Sequence, residues 1–356
     1  MAPLTSRYDV DRAALGARLD GEPAYRVDQV WDGWYRKLGR PEEQTNLPKV
    51  LRAHLDETLP PALVPVVESI SEGGDTVKWL WRLHDGRQVE TVLMRYPERA
   101  TVCVSSQAGC AMGCGFCATG QAGFDRQLST GEIIEQVVVA ARRSADEHRR
   151  LSNVVFMGMG EPFANYDAVW AAVERIHGDL GLSARHITIS TVGVIPGIRR
   201  LATEALPVNL AVSLHAANDS LRDELVPLNR RYPLADLAEA CDVYLSAKHR
   251  RLSFEWALID GVNDRAADAR ELAGYARSLR AHVNLIPLNP TPGYPTRGTS
   301  PAGVARFHQL LVGLGVNATV RRNRGTDIDA ACGQLRAVFI RPDGAPTPSS
   351  SAQGDA

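Results

Sequence analysis

The chain has 356 residues, 44% hydrophobic and 23% charged, with a formal net charge of −1. This ordinary balance excludes extensive disorder, and no apolar run reaches the roughly 20 residues of a membrane span. The near-zero charge also excludes a nucleic-acid binder recognisable from bulk charge alone. The length suits about two domains, or one large α/β barrel with an appendage. Met1–Asp20 has no apolar core of the kind a secretory signal needs, and 6 cysteines in such a chain fit the reduced cytoplasm better than a disulfide framework.

From Asp11 to Thr58 the pattern is helical. Val27, Val30, Trp31, Trp34, Tyr35 and Leu38 form one apolar stripe, which predicts burial against Leu47, Val50, Leu51 and Leu55 of a following helix. After Pro60-Pro61 the chain changes to strands. Val77–Leu83 and Gln88–Met94 flank His84-Asp85-Gly86-Arg87, the sequence of a β-hairpin turn. Residues 1–60 therefore read as a small helical accessory domain and residues 61–100 as a linker with a hairpin.

Gly109-Cys110-Ala111-Met112-Gly113-Cys114-Gly115-Phe116-Cys117 is too glycine-rich for helix and sets three cysteines at C-x3-C-x2-C spacing. Three thiolates on one loop suit three irons of a [4Fe–4S] cluster and leave the fourth iron without a protein ligand. A Cys3His zinc site is the competing reading, although zinc knuckles usually come in pairs and no second one is present.

From Thr101 onward short apolar runs alternate with helical stretches. Strands are expected at Thr101–Ser105, Asn153–Met157, Ile187–Ser190, Val208–Leu214, Ser253–Ile259 and Val283–Ile286, with a last short one at Ala318–Arg322. Ser129-Thr130-Gly131-Glu132 reads as a capping box opening a helix with Ile133, Ile134, Val137, Val138 and Ala141 inward. Six right-handed β/α crossovers make a partial TIM-like barrel, an α/β fold with its site at the carboxyl ends of the strands. Gly158-Met159-Gly160-Glu161-Pro162, Ser190-Thr191-Val192-Gly193, Ser213-Leu214-His215 and Pro287-Leu288-Asn289-Pro290 all fall on that rim. Residues 101–340 form this core. Residues 341–356 are poor in bulky apolar side chains and read as a disordered tail. Basic clusters such as Arg142-Arg143, Arg230-Arg231 and Arg321-Arg322-Asn323-Arg324 are singly ordinary surface, but gathered on one face they would hold a phosphate backbone.

The cysteine loop, with Phe116 just before its last cysteine, resembles the signature of radical S-adenosylmethionine (SAM) enzymes. Within that group the chain resembles the RlmN family, dual-specificity adenine-C2 methyltransferases of 23S ribosomal RNA and transfer RNA. The resemblance runs from Arg26 to Leu335 and rests on Val89-Glu90-Thr91-Val92, Cys103–Cys110, the cysteine loop, Gly158–Pro162, Ser213–Ala216 and Arg324–Leu335. Val192 and Leu288 depart from the residues common there, at positions the sequence gives no chemistry.

The resemblance implies a radical SAM barrel with a [4Fe–4S] cluster on Cys110, Cys114 and Cys117. It implies SAM contacts at Gly160, Glu161, Ser190, Ser213, Leu214, His215 and Asn289, where Glu161 suits an ammonium and Ser190 and Asn289 a carboxylate or ribose. His215 also has a plain reading, a strand-end histidine satisfied by its own backbone. Cys332 is implied as methyl carrier, Cys103 as the thiol that resolves it through a disulfide, and Glu90 as proton acceptor. Cys241, in a helical pattern, reads as a buried hydrophobe. In the implied scheme the Cys332 thiolate takes a methyl from one SAM, and a second SAM yields the radical that joins this carbon to adenine C2. The partners implied are 23S ribosomal RNA, transfer RNA with its target adenine just 3′ of the anticodon, and a flavodoxin-type electron donor, for a cytoplasmic monomer with no membrane. Related adenine-C8 methyltransferases share the cluster and both cysteines. A zinc-stabilised RNA-binding protein is the non-catalytic alternative.

Overall fold

The computed structural model describes residues 5–291, 293–321 and 324–335. Its strands, in chain order, are β1 Val64–Ile70, β2 Thr76–Arg82, β3 Gln88–Arg95, β4 Arg99–Cys103, β5 Gln107–Gly109, β6 Phe124–Gln127, β7 Arg150–Phe156, β8 Ile187–Thr191, β9 Asn209–Ser213, β10 Leu252–Leu258, β11 His282–Pro287 and β12 Ala318–Val320. Ten of them make one sheet in the order β1-β2-β3-β4-β7-β8-β9-β10-β11-β12, while β5 and β6 pair separately. From β4 to β12 every pairing is parallel, and from β1 to β4 every pairing is antiparallel. The parallel part is the expected partial barrel. Helices Thr130–Asp146, Tyr166–Gly178, Ile195–Thr203, Leu234–Lys248 and Ala266–Ser278 cover it.

The strand positions follow the apolar runs closely. Phe254, Trp256 and Leu258 on β10 and Val283 and Leu285 on β11 are fully buried, as strands covered on both faces require. The Ser129 hydroxyl accepts from Glu132 N–H while the Glu132 carboxylate accepts from Ser129 N–H, so the helix at Thr130 opens with the expected capping box. Ala141 lies at the margin of the buried face rather than within it.

Three readings change. The stretch after Pro61 is no linker but β1, so the hairpin has a third strand. It is also not an appendage, because β3 pairs with β4 and carries the barrel sheet outward. Among the helical residues Val50 is 82% exposed instead of buried, since Leu51 and Leu55 already fill the inward stripe of Lys49–Thr58. The last strand stops at Val320, and Arg322 and residues 341–356 lie outside the described residues.

The N-terminal helices Arg12–Arg18, Tyr25–Tyr35 and Lys49–Thr58 sit against the barrel's outer helices. Trp31 Nε1 donates to Asp179 (2.8 Å), Arg175 donates to the Tyr8 and Val10 carbonyls (2.6 and 3.0 Å), and Gly131 N–H donates to Asp9 (2.8 Å). The expected stripe makes this contact, with Val30, Trp31, Trp34 and Tyr35 all buried.

Candidate active site

A cleft of about 1070 Å³, open to solvent, occupies the carboxyl ends of the parallel strands. Its walls include all three loop cysteines, Gly160, Glu161, Ser190, Ser213, His215, Asn289 and Cys332. Residues spread over more than two hundred positions of sequence meet here because parallel β/α units place their connecting loops on one rim.

The cysteine loop leaves β5 at Gly109, whose φ is +77° and where an added Cβ would collide with the Gly123 carbonyl, so no side chain fits. Burial pushes the Cys110 thiol up to about 11, with the charge on Cys117 adding to it, and raises Cys114 still further, helped by Cys117 and Cys110. Two buried thiols that resist ionisation, with a third on the same loop, are a donor set suited to positive metal charge. Among the described residues, no three His, Cys, Asp or Glu side chains converge on a single ion's position. Tetrahedral zinc holds its sulfurs about 2.3 Å away and requires such convergence. A cluster takes each sulfur at a separate iron, and three cysteines on one short loop fit that donor set.

Opposite the loop, His215 ends β9 with φ +59°, a left-handed position rare for a residue with a side chain. Its Nδ1 accepts from Ala257 N–H (3.0 Å), which places the proton of the neutral ring on Nε2. Burial and the Arg222 guanidinium lower its pKa to about 3, so the ring stays neutral. The Phe116 ring meets it edge-on at 4.8 Å between centroids. The ring is thus bonded to backbone of the neighbouring strand rather than its own, and it lines the cleft as well.

Glu161 is buried, and desolvation pushes it up to about 7 against the pull of its donors. Its two oxygens accept from Phe163 N–H (3.0 Å) and Val192 N–H (2.9 Å), so it ties the loop after β7 to the loop after β8. Gly160, at φ +98°, is a close-approach position, but what approaches is Gln107, 2.5 Å from where a Cβ would sit. Leu214 is the expected contact that the fold does not bring to the cleft. Its side chain is in the core, and its carbonyl accepts from Arg222 Nε (3.1 Å). Val192 and Leu288 both form cleft wall, so these departures from the family pattern reach the site after all. Arg222 was missed by the sequence reading. Fully buried, it donates to the Leu214 and Val192 carbonyls and to Asn229, and so fixes two rim loops.

A second cleft of about 1020 Å³ adjoins the first and is lined by Val92, Met94, Tyr96, Cys103, Arg321, Arg324 and Cys332, among others. Cys332, exposed, belongs to the walls of both. Cys103 is buried and pushed up to about 12, first by burial and then by the charge of Cys332. All six cysteines are free, so the disulfide implied between these two is not a standing bond.

The loop bearing Cys332 is clamped from two sides. Asn289 Nδ2 donates to the Cys332 carbonyl (3.1 Å), and Ala118 N–H donates to the Gly333 carbonyl (2.8 Å). From the hairpin, Glu72 N–H donates to Asp327 (2.8 Å) and Lys78 Nζ to the Asp329 carbonyl (3.2 Å). Arg321 lies where the two clefts join and pairs with Glu255 (3.3 Å), which also accepts from Asn284 (2.8 Å). Glu90 is buried beside Lys78 (3.1 Å) and lines neither cleft. Val92 pairs directly with Cys103, and Glu90 stands two residues before Val92, so alternation puts Glu90 and Cys103 on one sheet face. Cys241 is fully buried in its helix, in keeping with its reading as a hydrophobe.

Residues 104–273 match the radical SAM superfamily. The chain is 54% identical over 330 residues, 89% of its length and 78% of the relative's, to a probable dual-specificity RNA methyltransferase RlmN of Frankia casuarinae. It is 48% identical, over 97% of its length and 98% of the relative's, to dual-specificity RNA methyltransferase RlmN 1 of Myxococcus xanthus. A crystal structure of a radical SAM methyltransferase from Sphaerobacter thermophilus superposes with a TM-score of 0.91 at 52% identity, covering 94% of this chain and 99% of that one. With its radical SAM barrel and relatives of this similarity along nearly its whole length, the chain belongs to the RlmN family of radical SAM methyltransferases.

Proposed function

We propose that this chain methylates C2 of adenine in 23S ribosomal RNA and in transfer RNA, carrying the methyl group on Cys332. The family implies a 4Fe–4S cluster and SAM, and relatives at this identity bear the name dual-specificity RNA methyltransferase. The observation that carries the reading is that Cys332 belongs to the walls of both clefts. One cleft has the donor set for cluster and SAM. The other has the second thiol.

Cys110, Cys114 and Cys117 would hold the cluster, and Ser190, Ser213, His215 and Asn289 would face SAM. Bound there, the cluster would supply the electron for reductive cleavage of SAM and hence a carbon-centred radical. The neutral His215 presents an Nε2–H donor without a positive charge that would repel a sulfonium. Glu161 shapes the rim through its two backbone bonds and faces the cleft with its remaining acceptor capacity.

The residues of the second cleft, with Glu90 from the sheet face that carries Cys103, finish the reaction. Adenine C2 is electron-poor and carries a hydrogen, so it cannot itself displace a methyl group from sulfur. Cys332 accepts the methyl as a nucleophile and holds it as a thioether. Loss of one hydrogen atom from this S-methyl group to the SAM-derived radical would leave a carbon radical that adds to C2, which joins protein and RNA covalently. Glu90 accepts the C2 proton. The adduct gives its unpaired electron back to the redox group that would have supplied it, and Cys103, its thiol proton lost, attacks the Cys332 sulfur; the S–C bond breaks, the freed carbon takes up a proton to become the methyl group, and a Cys103–Cys332 disulfide forms that external reductant reopens. Burial of Cys103 keeps it a thiol until it is needed. The enzyme acts as a cytoplasmic monomer and takes electrons from a flavodoxin-type donor. No described helix is long and apolar enough to cross a membrane.

The test is anaerobic reconstitution with iron and sulfide, then SAM, reductant and unmodified ribosomal or transfer RNA, with nucleoside mass spectrometry of the product. 2-Methyladenosine is expected in both RNAs. 8-Methyladenosine, or no methylated adenosine from protein that still cleaves SAM, would overturn the reading.

A further inference from the structure

The second cleft has a flat cation that the reaction chemistry leaves unused. Tyr96 follows β3, and the guanidinium carbons of Arg99 and Arg324 lie 4.7 and 4.5 Å from its ring centroid. Arg324 is also held along its edge, because its Nη1 donates to Asp75 Oδ2 (2.6 Å) and to the Arg95 carbonyl (3.1 Å). A guanidinium stacked on a ring and bonded at its edge has lost most of its freedom. Its side chain is nevertheless 27% exposed, and it lines the cleft that contains Cys103 and Cys332.

We propose that Arg324 is the shelf on which the target base stacks. The inference rests on the RNA reading above and adds which residue receives the base. Single-stranded bases splayed out of a loop are commonly stacked on arginine planes as well as on aromatic rings. Asp75 offsets much of the charge, so what Arg324 offers the cleft is a fixed plane more than a free cation. The walls beside it, Val92, Met94, Ala330 and Ala331, are apolar and suit the dry edge of a purine. A base seated there lies in the same cleft as both sulfurs, as transfer from one and release by the other require. The unstacking cost of a few kcal/mol is least for an adenine in an RNA loop, and the shelf replaces the lost stacking.

The test compares two RNA stem-loops with the anaerobic holoenzyme in the absence of SAM, by fluorescence anisotropy. One has the target adenine in its loop and the other an abasic site at that position. Wild-type protein should prefer the adenine RNA by about tenfold, the scale of one base–side chain stack. Arg324→Lys keeps the charge and removes the plane, so it should lose that preference while binding the abasic RNA as wild type does. Asp75→Ala breaks the edge bond without removing the plane and should keep most of the preference. If Arg324→Lys retains the tenfold preference, or Asp75→Ala loses as much as Arg324→Lys, the shelf is wrong and Arg324 is only a charge or a loop tether. Failure of wild type to methylate the adenine stem-loop would instead strike the RNA reading itself.

Discussion

The two clefts share Cys332 yet are built by different means. The first is made at the ends of parallel strands, where most wall residues are positioned by the loop that follows their own strand and by backbone bonds such as those to Glu161 and His215. The second exists only because the segment ending at Leu335 docks across the antiparallel hairpin, through Glu72 to Asp327, Lys78 to Asp329 and Asp75 to Arg324. Half-exposed ion pairs such as Asp75–Arg324 contribute about 1 kcal/mol or less each. The first cleft is therefore fixed largely by local structure, and the second by a few weak long-range tethers.

The hardest test of that division is to empty one side. Replacing Cys110, Cys114 and Cys117 together by Ala should abolish iron binding and SAM cleavage, while an alkylating reagent should still reach Cys332 at the wild-type rate. Altered labelling of Cys332 would show that the second cleft leans on the first. The next largest effect is expected from Glu90→Gln, which removes the proposed proton acceptor from the hairpin. Turnover should fall on the scale of 10²–10⁴ typical of a lost general base. Because proton removal precedes release, a covalent protein–RNA species should accumulate on a denaturing gel. Unimpaired turnover would take Glu90 out of the mechanism.

The same contrast decides what could be read in advance. Strand positions, the cysteine loop and the rim turns were legible because each is a local pattern: apolar runs, glycine spacing and a capping box. His215 and Asn289 were legible from motif wording, although not His215's bond to Ala257, which depends on how β9 and β10 end relative to each other. Tyr96, Glu255 and Arg321 gave no local signal. An acidic residue in the apolar run of β10 was the one available hint, and its partners on β11 and beyond β12 come from tertiary packing. Leu214 was misplaced for the opposite reason, since a contiguous motif does not say which of its side chains turns inward.

The smallest effect on chemistry is expected far from both clefts, where the N-terminal segment meets the barrel. Glu135 is buried and accepts from Ala62 N–H (2.7 Å). Burial pushes it from an ordinary 4.5 up to about 7, against the opposing pull of that bond and of Arg7 and Arg142. A carboxyl raised in the folded state contributes stability that is complete below pH 4.5 and is lost as pH rises through about 7. The melting temperature of wild type should therefore fall between pH 5 and pH 8 relative to Glu135→Gln. The difference in stability should be no more than about 3 kcal/mol, on the scale of 1.36 kcal/mol per pKa unit. SAM cleavage at 25 °C should be unchanged. A variant whose melting temperature tracks wild type across that range would show that the carboxyl is not strained by burial.

The central claim is that Cys332 carries the methyl group and Cys103 only releases it, so the two thiols must fail at different points. Cys332→Ala and Cys103→Ala, each anaerobically reconstituted and shown to cleave SAM, are incubated with SAM, reductant and unmodified transfer RNA and resolved on a denaturing gel. Cys103→Ala should give a slow-migrating, nuclease-sensitive protein–RNA band, and Cys332→Ala should give none. That band with Cys332→Ala, or its absence with Cys103→Ala, would contradict the assignment.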